Sequence, residues 1–321
     1  MKKKFEGFIH NNTPDNIEIN NWLNSDNLRV LEKSSDANFS VVTHSDYICT
    51  EYKMQLNLFT FWRFHLRITF NIIGPPVSVD SVGYCGDLNK LIADYKRRKG
   101  LHLILNLPER PILTEKLAIG ETLSSCIFHN RFFSFEDYFN ALRGNYRRRL
   151  RQAQKKGDSL RVEKIDNASF SEELHKLYIH VRQKSKYPLE ILRNEFFKHF
   201  ESDIYVFCDK DTPVAFVSIK RFGKELSFVF GGMDYHKRDK FDLHYNMLLL
   251  ILQLAIRQGV ESVNFGQTAE HSKQRIGCTL SKRYMIAFSG NPIINQALRF
   301  FSNILTYRAP KEAYRCFNEK A

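Results

Sequence analysis

The chain lacks a long uninterrupted apolar run. Leu56–Val79 is broken in its middle by Arg63 and Arg67, and Met247–Ile256 is short. A membrane-spanning helix needs roughly 20 mostly apolar residues, so neither segment predicts one. The opening Met-Lys-Lys-Lys is not followed by an apolar stretch, so no signal peptide is expected. We therefore expect a cytoplasmic protein that is soluble or peripheral to a membrane.

Paired cysteines are also missing. The six cysteines are scattered, and none forms a C-x-x-C pair. Disulfide frameworks and zinc sites both rely on such spacing, so the sequence favours a reducing compartment and predicts no metal site. The cysteines are Cys49, Cys85, Cys126, Cys208, Cys278 and Cys316.

Acidic residues are fewer than basic residues. The chain has 35 Asp and Glu against 48 Lys and Arg, which gives a net charge of +13. Such an excess indicates a polyanionic partner: nucleic acid, lipid headgroups or a phosphate-rich cofactor. A zinc-finger, RNP or helix-turn-helix signature is absent, so a dedicated nucleic-acid module has no motif to support it. With 321 residues and 43% hydrophobic content, about two domains with sizeable cores are expected.

A strand–helix–strand pattern with glycines at its joints occurs twice. In the second half it comprises Leu226–Gly232, Leu243–Gly259 and Val263–Gly277. In the first half, strand Phe61–Ile73 is followed by a helical stretch over Asp87–Arg98 and a strand at Leu101–Leu107, with its glycines at nearly the same spacing. The pattern predicts a duplicated α/β lobe and not a solenoid, whose periods are far shorter. Strand ends and a helix N-terminus in this order can hold a phosphate-bearing cofactor.

Capping and turn residues predict the other elements of the second half. Ser134 with Asp137 predicts the start of a helix that runs to Gly157 and is interrupted near Gly144. Ser169 with Glu172 predicts the start of a second helix. The remaining predicted elements are three antiparallel strands, Asp203–Cys208, Val214–Arg221 and Leu226–Gly232, and a last helix begun by Asn291-Pro292.

The order of these elements resembles the GNAT acyltransferase fold. The basic stretch Tyr146–Gly157, ending in Lys-Lys-Gly, is similar to a helix of the Fem-type peptidyltransferases and their FemAB-like relatives. Ala255–Gly259, Asn264-Phe-Gly266 and Lys273-x-x-x-Gly277 are similar to the closing motif of that group. The resemblance covers roughly residues 134–290, the length of one domain. It implies an α/β (α+β) fold of tandem GNAT-like lobes with mixed sheets, the first lobe degenerate.

The domain organisation expected from the resemblance has three parts. Residues 1–133 form the degenerate lobe, 134–290 the acyltransferase lobe, and 291–321 an amphipathic helix and tail. The implied activity is transfer of an acyl group from acyl-CoA or aminoacyl-tRNA to an amine acceptor, such as a cell-envelope or lipid precursor. The Q/R-x-x-G-x-G/A loop of many acetyl-CoA enzymes does not occur at 231–240, so the donor need not be acetyl-CoA.

The candidate catalytic residues lie at the predicted strand ends and helix starts. Lys273 matches the lysine of the family motif, which implies that it neutralises a donor phosphate or the oxyanion, pointing into the cleft between the strands that end at Gly232 and Gly266. Glu270 could instead hold Lys273 in an ion pair. The other candidates for acid–base chemistry are Asp234, His244 and Tyr245, although His244 among leucines is equally typical of a packed histidine.

The candidate donor-binding residues combine cations with glycines. Arg147 and Arg149 belong to a basic helix that is either a polyanion site or a solvated face, and the loop before the buried helix, which Asp239 or Asp242 would cap, is either an anion site or a polar turn. The candidates are Gly231, Gly232, Lys237, Arg238, Lys240, Gly266, Gly277, Arg147 and Arg149. Two other functions stay open: a non-catalytic module that binds RNA, or one that binds an anionic membrane through the amphipathic segment Asn291–Tyr307.

Overall fold

The computed structural model describes residues 22–34, 38–57, 66–185, 191–309 and 314–318. The chain divides into two units, each made from two stretches. Unit 1 comprises Met1–Ser124 and Lys282–Pro310, and unit 2 comprises Ser125–Ser281 and Lys311–Ala321. The division into 1–133, 134–290 and 291–321 stays a prediction. Its three parts are consecutive stretches, whereas each unit combines two separate stretches of the chain.

Unit 1 is built around a parallel pair of strands joined by a helix. Its first elements are α1 (Ser25–Ser34), β1 (Phe39–Thr43), β2 (Tyr47–Asn57), β3 (Arg67–Ile73), β4 (Tyr84–Gly86), α2 (Leu88–Lys96) and β5 (Leu101–Leu107). Strand β6 (Ala118–His129) then leads from unit 1 into unit 2. Strands β3 and β5 pair in parallel, while β1–β2, β2–β3 and β2–β4 pair antiparallel. Residues 61–65 of the predicted strand Phe61–Ile73 lie outside the described residues.

Unit 2 repeats that arrangement on a larger scale. Its elements are α3 (Phe135–Ala141), α4 (Gly144–Gly157), β7 (Leu160–Ile165), α5 (Glu172–Lys184), α6 (Asn194–His199), β8 (Asp203–Asp209), β9 (Thr212–Phe222), β10 (Glu225–Met233), α7 (Arg238–Phe241), α8 (Leu243–Arg257), β11 (Ser262–Asn264) and α9 (Glu270–Gln274). The sheet runs β6-β11-β10-β9-β8-β7, and β10–β11 is its parallel pair. The three predicted antiparallel strands are confirmed as β8, β9 and β10.

The chain returns to unit 1 through β12 (Thr279–Ser289), followed by α10 (Pro292–Phe300) and α11 (Ser302–Leu305). Strand β12 pairs antiparallel with β5. In both units the parallel pair therefore carries antiparallel neighbours on its two sides, and a helix joins its strands. This shared order is what a duplication would produce, and the tandem-lobe interpretation stays a prediction. The predicted mixed α/β class is confirmed.

Two predicted helix caps are confirmed, and a third lies two residues further along the chain than predicted. Ser134 accepts a hydrogen bond from the Asp137 N–H, and Asn291 accepts one from the Ile293 N–H, as their sequence predicts. The cap predicted at Ser169 is wrong. Ser171 caps α5 by accepting from the Leu174 N–H, because the preceding residues Asn167–Ser169 close a 3-10 turn.

Helix α8 is the central element of the unit 2 core. Ten of its residues are buried, among them Leu248, Ile251, Leu252 and Ala255. An α-helix that is apolar on nearly all sides must be covered by neighbours, and α8 packs with α3, α4 and β9 to β11. Its burial fixes the residues of its first turn, which lead into the site.

Two properties of the whole chain complete the fold. Within the described ranges, no helix combines the length and apolar character needed to cross a bilayer. All six cysteines are free thiols and are buried.

Candidate functional site

Strands β10 and β11 separate after a short parallel contact. Strand β11 pairs only with Glu225, Leu226 and Ser227 of β10. From Phe228 to Met233, β10 keeps β9 on one side, and in the described part of the chain its other edge has no strand partner. After β11 the backbone stays with β6, since the Phe265 N–H donates to the Cys126 carbonyl at 2.9 Å. A free strand edge inside a sheet can bind an extended ligand through main-chain hydrogen bonds.

The loop after β11 is held in an unusual backbone conformation. Gly266, Thr268 and Ala269 all have positive φ, at 69°, 64° and 49°. For Thr268 and Ala269 this left-handed conformation costs about 1–2 kcal/mol each, and such strain gathers at functional sites. The loop leads directly into α9.

Helix α9 turns polar side chains inward. Glu270, Lys273 and Gln274, spaced at i, i+3 and i+4, are all buried. Buried charged and amide groups are rare and informative, because their transfer from water is costly unless they are hydrogen-bonded. The Gln274 side-chain oxygen has no hydrogen-bond partner among the described residues. Because this oxygen is buried, leaving it unpaired is costly unless another polar group reaches it.

Lys273 holds the strained loop. Its ammonium donates to the Gln267 carbonyl at 2.8 Å and to the Gly266 carbonyl at 3.3 Å, and the residue is only 4% exposed. Lys273 is buried because α9 packs its aliphatic stem inward. The catalytic role of Lys273 stays a prediction, and its contacts in this structure are with the backbone that forms the site.

His244 joins α8 to α9. Its Nε2 lies 2.8 Å from the Ser272 hydroxyl, which itself donates to the Ala269 carbonyl. Since that hydroxyl directs its proton to Ala269, we infer that Nε2 carries the hydrogen and donates. Burial, reinforced by the nearby charges of Lys273 and Arg238, lowers the pKa of His244 to about 4. The imidazole is therefore neutral near pH 7.

Tyr245 forms the next layer of contacts. The Arg149 guanidinium lies over its ring at 4.4 Å, and Arg275 hydrogen-bonds to its hydroxyl and to that of Tyr314. His271 in turn lies 2.8 Å from the Tyr314 hydroxyl. These contacts connect α4, α8 and α9 with the C-terminal stretch of unit 2.

Arg149 forms an ion pair with Asp242. It donates two hydrogen bonds to the Asp242 carboxylate at 2.7 and 2.9 Å, and this contact raises the pKa of Arg149. The predicted cap of α8 is wrong. Asp242 occupies the N-cap position in the left-handed region, but its carboxylate binds Arg149 and makes no cap hydrogen bond. Asp239 binds Arg238 instead.

The loop predicted as an anion site is internally neutralised. Lys237 and Lys240 both pair with Asp209, at 3.2 and 3.5 Å. Asp234, predicted as catalytic, follows β10 and accepts the His236 N–H at 2.9 Å, which closes a turn. These contacts favour the polar-turn alternative for this loop.

Glycines at the strand ends have packing and turn roles. A Cβ on Gly232 would lie 2.4 Å from the Phe216 ring and 2.6 Å from the Tyr178 nitrogen, so Gly232 lets α5 pack on β10. A Cβ on Gly231 would meet the Phe228 ring and the Met247 methyl. Gly277 adopts a φ of 101° against the Phe317 ring. None of these contacts requires a ligand.

The cations of α4 are divided between two faces of the helix. Arg149 and Lys156 turn toward Asp242. The other four line an open depression of about 320 Å³ with Gly144 and Gln152. We call them the α4 basic face: Arg147, Arg148, Arg151 and Lys155. Among described residues, Arg147, Arg148 and Lys155 make no ion pair.

Sequence reasoning missed Ser272, Gln274, Arg275 and Tyr314. The signal for Gln274 was present, since Glu270, Lys273 and Gln274 form a polar stripe at helical spacing beside buried segments. Tyr314 could not be found this way, because its contact with α9 depends on the tertiary fold. Among the described residues, no cluster of His, Cys, Asp and Glu could hold a metal ion.

Comparison with known proteins identifies the class of unit 2. Residues 140–274 match the family profile described as acetyltransferase (GNAT) domain. Unit 2 contains a GNAT domain. The matched residues include α4, the open edge of β10, α8 and α9, so the site lies within the recognised domain. These residues are therefore similar to acetyltransferases of the GNAT family.

Solved structures show the same fold over most of the chain. L-PGS from Bacillus licheniformis is similar with a TM-score of 0.52 at 9% identity, covering 90% of this chain and 98% of that one. The C-terminal domain of a putative lysylphosphatidylglycerol synthetase from Agrobacterium fabrum gives 0.51 at 11% identity, covering 86% and 93%. FemX gives 0.50 at 10% identity, covering 87% and 94%. No curated protein sequence matches the chain. The fold is thus that of Fem-like GNAT relatives.

Proposed function

We propose that the protein transfers an acyl or aminoacyl group from a phosphate-bearing donor to an amine. Two observations carry the proposal, the open edge of β10 and the buried polar side chains of α9, both within the residues that match the GNAT domain. The amide groups of the donor pair with the free backbone of Phe228–Met233, which brings the reactive carbonyl to the ends of β10 and β11. Ligands of α/β sheets commonly bind at such strand ends.

The reaction needs an uncharged amine, a proton acceptor and donors for the oxyanion. The amine nitrogen bonds to the donor carbonyl carbon, which forms the oxyanion. The bond to the sulfur or ribose oxygen then breaks, and the leaving thiolate or alkoxide takes up the proton that the amine loses. The Gln274 oxygen accepts a hydrogen bond from the amine and orients its lone pair. Neutral His244, held by Ser272, keeps that region free of an additional positive charge.

The α4 basic face is the docking surface for the donor phosphates in this proposal. Arg151 lies three or four residues from each of Arg147, Arg148 and Lys155, so these cations repel each other on the helix surface, and an anion relieves that repulsion. One similar structure is a domain of a putative lysylphosphatidylglycerol synthetase and another is FemX, so both aminoacyl-tRNA and acyl-CoA are tested as donors. A lipid or cell-envelope amine is the acceptor class that we propose.

The test offers the purified full chain each donor with a panel of amines. Thiol release reports acyl-CoA turnover, and loss of labelled amino acid from charged tRNA reports aminoacyl transfer. We expect turnover with one donor class and a decrease of at least roughly tenfold in Gln274→Ala, with unchanged thermal unfolding. Turnover that survives in Gln274→Ala would remove Gln274 from the acceptor site.

A paired variant set tests the α4 basic face. Arg147→Glu/Arg148→Glu should weaken donor binding. It should also make the dependence of log Kd on log salt shallower, by roughly 0.7–0.9 for each donor phosphate that is no longer neutralised. The matched control is Lys176→Glu/Arg221→Glu, which alters two exposed cations elsewhere in unit 2. Equally weakened binding in both variants would show that only net charge matters.

The α4 basic face also supports a second function, a non-catalytic module that binds RNA. It predicts tight binding of uncharged tRNA with a steep salt slope, and no turnover with either donor. Turnover in the first assay excludes it.

A further inference from the structure

Helix α10 exposes an apolar face directly to solvent. Ile293, Ala297 and Phe300, at i, i+4 and i+7, share one side of the helix, and Ile293 and Phe300 are 77% and 80% exposed. Phe301 extends this side with its ring 5.1 Å from that of Phe300. Contiguous exposed apolar surface of this kind marks an interaction site in a folded protein.

The opposite side of α10 is anchored, so the exposure is a property of the fold. Asn295 and Leu298 are buried in unit 1. The Asn295 side chain donates to the Ser289 carbonyl at 2.9 Å and accepts from the Ser289 N–H at 2.7 Å. Rotating the apolar face inward would break this pair of hydrogen bonds and expose Leu298.

Cations lie beside the apolar face. Lys96, Lys116, Arg299 and Phe300 line a depression of about 570 Å³, together with Glu115 as its acidic residue. Lys96 is paired with Glu115 at 2.5 Å, whereas Lys116 and Arg299 make no ion pair among the described residues. Two cations are thus available to an anion whose other part is apolar.

We propose that α10 and this depression form a docking surface for an anionic phospholipid bilayer. The phosphates of the headgroups bind Lys116 and Arg299, while Ile293 and Phe300 enter the boundary between headgroups and acyl chains. Interfacial helices combine these two features, and basic residues near an anionic surface add to the attraction. The proposal concerns unit 1 and is independent of the function proposed for unit 2.

The charge of the chain favours an anionic bilayer, and not a second copy of the chain, as the partner of α10. A symmetric dimer through α10 would place Lys96, Lys116 and Arg299 of one copy against the same cations of the other. With a net charge of +13 on each chain, such a contact is repulsive, whereas a bilayer supplies both negative charge and an apolar layer.

The test is flotation of the full chain with phosphatidylcholine vesicles, with and without about a third of phosphatidylglycerol, at low and high salt. We expect binding to anionic vesicles only, weakened by salt. Ile293→Ser/Phe300→Ser should lower the partition coefficient at least roughly tenfold, because both substitutions remove apolar surface that enters the boundary. Lys116→Glu/Arg299→Glu should lower it to a similar degree.

Phe133→Ser is the matched control, since Phe133 is 97% exposed and belongs to unit 2. Its partition coefficient should equal that of wild type. A fluorophore that senses polarity, attached to Ile293→Cys, should shift to shorter wavelength on anionic vesicles, and the buried native cysteines allow selective labelling. The proposal is overturned if wild type does not float, if Ile293→Ser/Phe300→Ser floats equally, or if Phe133→Ser is weakened as much.

Discussion

At the scale of single residues, His244 links the site to pH. The pKa of His244 is about 4 in the folded chain, against a value of 6.5 in an unfolded one, because the ring is buried and lies near Lys273. Between these values the unfolded chain binds a proton that the folded chain does not. The free energy of unfolding should therefore fall by about 3 kcal/mol as pH drops from about 6.5 to 4.

Urea unfolding of wild type and His244→Gln between pH 7 and pH 4 measures this contribution. Glutamine keeps an N–H donor for Ser272 and does not titrate, so the variant should lack that part of the pH dependence. An identical pH dependence in both proteins would show that the imidazole titrates normally.

Lys273 should matter for stability as well as for turnover. Lys273→Ala leaves the Gly266 and Gln267 carbonyls without their donor in a buried loop, which costs about 1–3 kcal/mol. Lys273→Arg keeps a charged donor and should recover part of the stability. Chemical unfolding and turnover of both variants separate the roles. Full stability without turnover in Lys273→Ala would instead support the predicted catalytic role.

The sequence predicted the position of the site better than its contacts. His244 and Tyr245 were placed at a helix start, which is where the structure has them, whereas Lys273 lies in α9, a helix that was not predicted. The contacts in the site join residues that are far apart in the chain. Arg149 pairs with Asp242, and Tyr314 lies within hydrogen-bond distance of His271. Single-sequence patterns carry no information on such pairs, so the predicted roles of Arg149 and Asp242 did not anticipate their ion pair.

At the scale of elements, the same limit explains the missed strands. Strand β7 is mostly exposed and charged, and β12 begins with polar residues, so neither shows the apolar alternation of β8 to β10. These two segments become strands because they pair with neighbouring strands, and not because of a pattern in their own residues. Helix α8, apolar on nearly all sides, was predictable from its sequence alone.

Packing of α5 on β10 should depend on Gly232. In Gly232→Ala the added methyl would meet the Phe216 ring and the backbone of α5, so the helix must shift, at about 1–3 kcal/mol. Gly231→Ala is the neighbouring control, since its methyl would meet only the ends of the Phe228 and Met247 side chains, which can move. Thermal unfolding should therefore show the larger decrease in stability for Gly232→Ala. A larger decrease for Gly231→Ala would mean that the β10 side chains, and not α5, limit this region.

At the scale of the whole molecule, the two units have separate cores and separate proposed ligands. The unit 2 core surrounds α8, whereas unit 1 packs α2 with β2, β5 and β12. Each proposed binding surface has its own cations. They are the α4 basic face in unit 2, and Lys116 and Arg299 in unit 1. Part of the net charge of +13 therefore lies on two surfaces, one in each unit, and a single binding measurement on the whole chain would not distinguish them.

Hydrogen exchange can distinguish donor binding to unit 2 from vesicle binding to unit 1. An acyl donor that pairs with the free edge of β10 should slow exchange of the Phe228–Met233 amides, and ordering of α9 should slow those of Gly266–Gly277. The amides of α10 should not change with the donor, and should slow only when anionic vesicles are added. Wild type and Arg147→Glu/Arg148→Glu, each measured with donor, with vesicles and with both, make the comparison complete. Donor protection confined to unit 1, or vesicle protection confined to unit 2, would contradict this assignment of ligands to units, because an edge strand gains protection only where its backbone is paired.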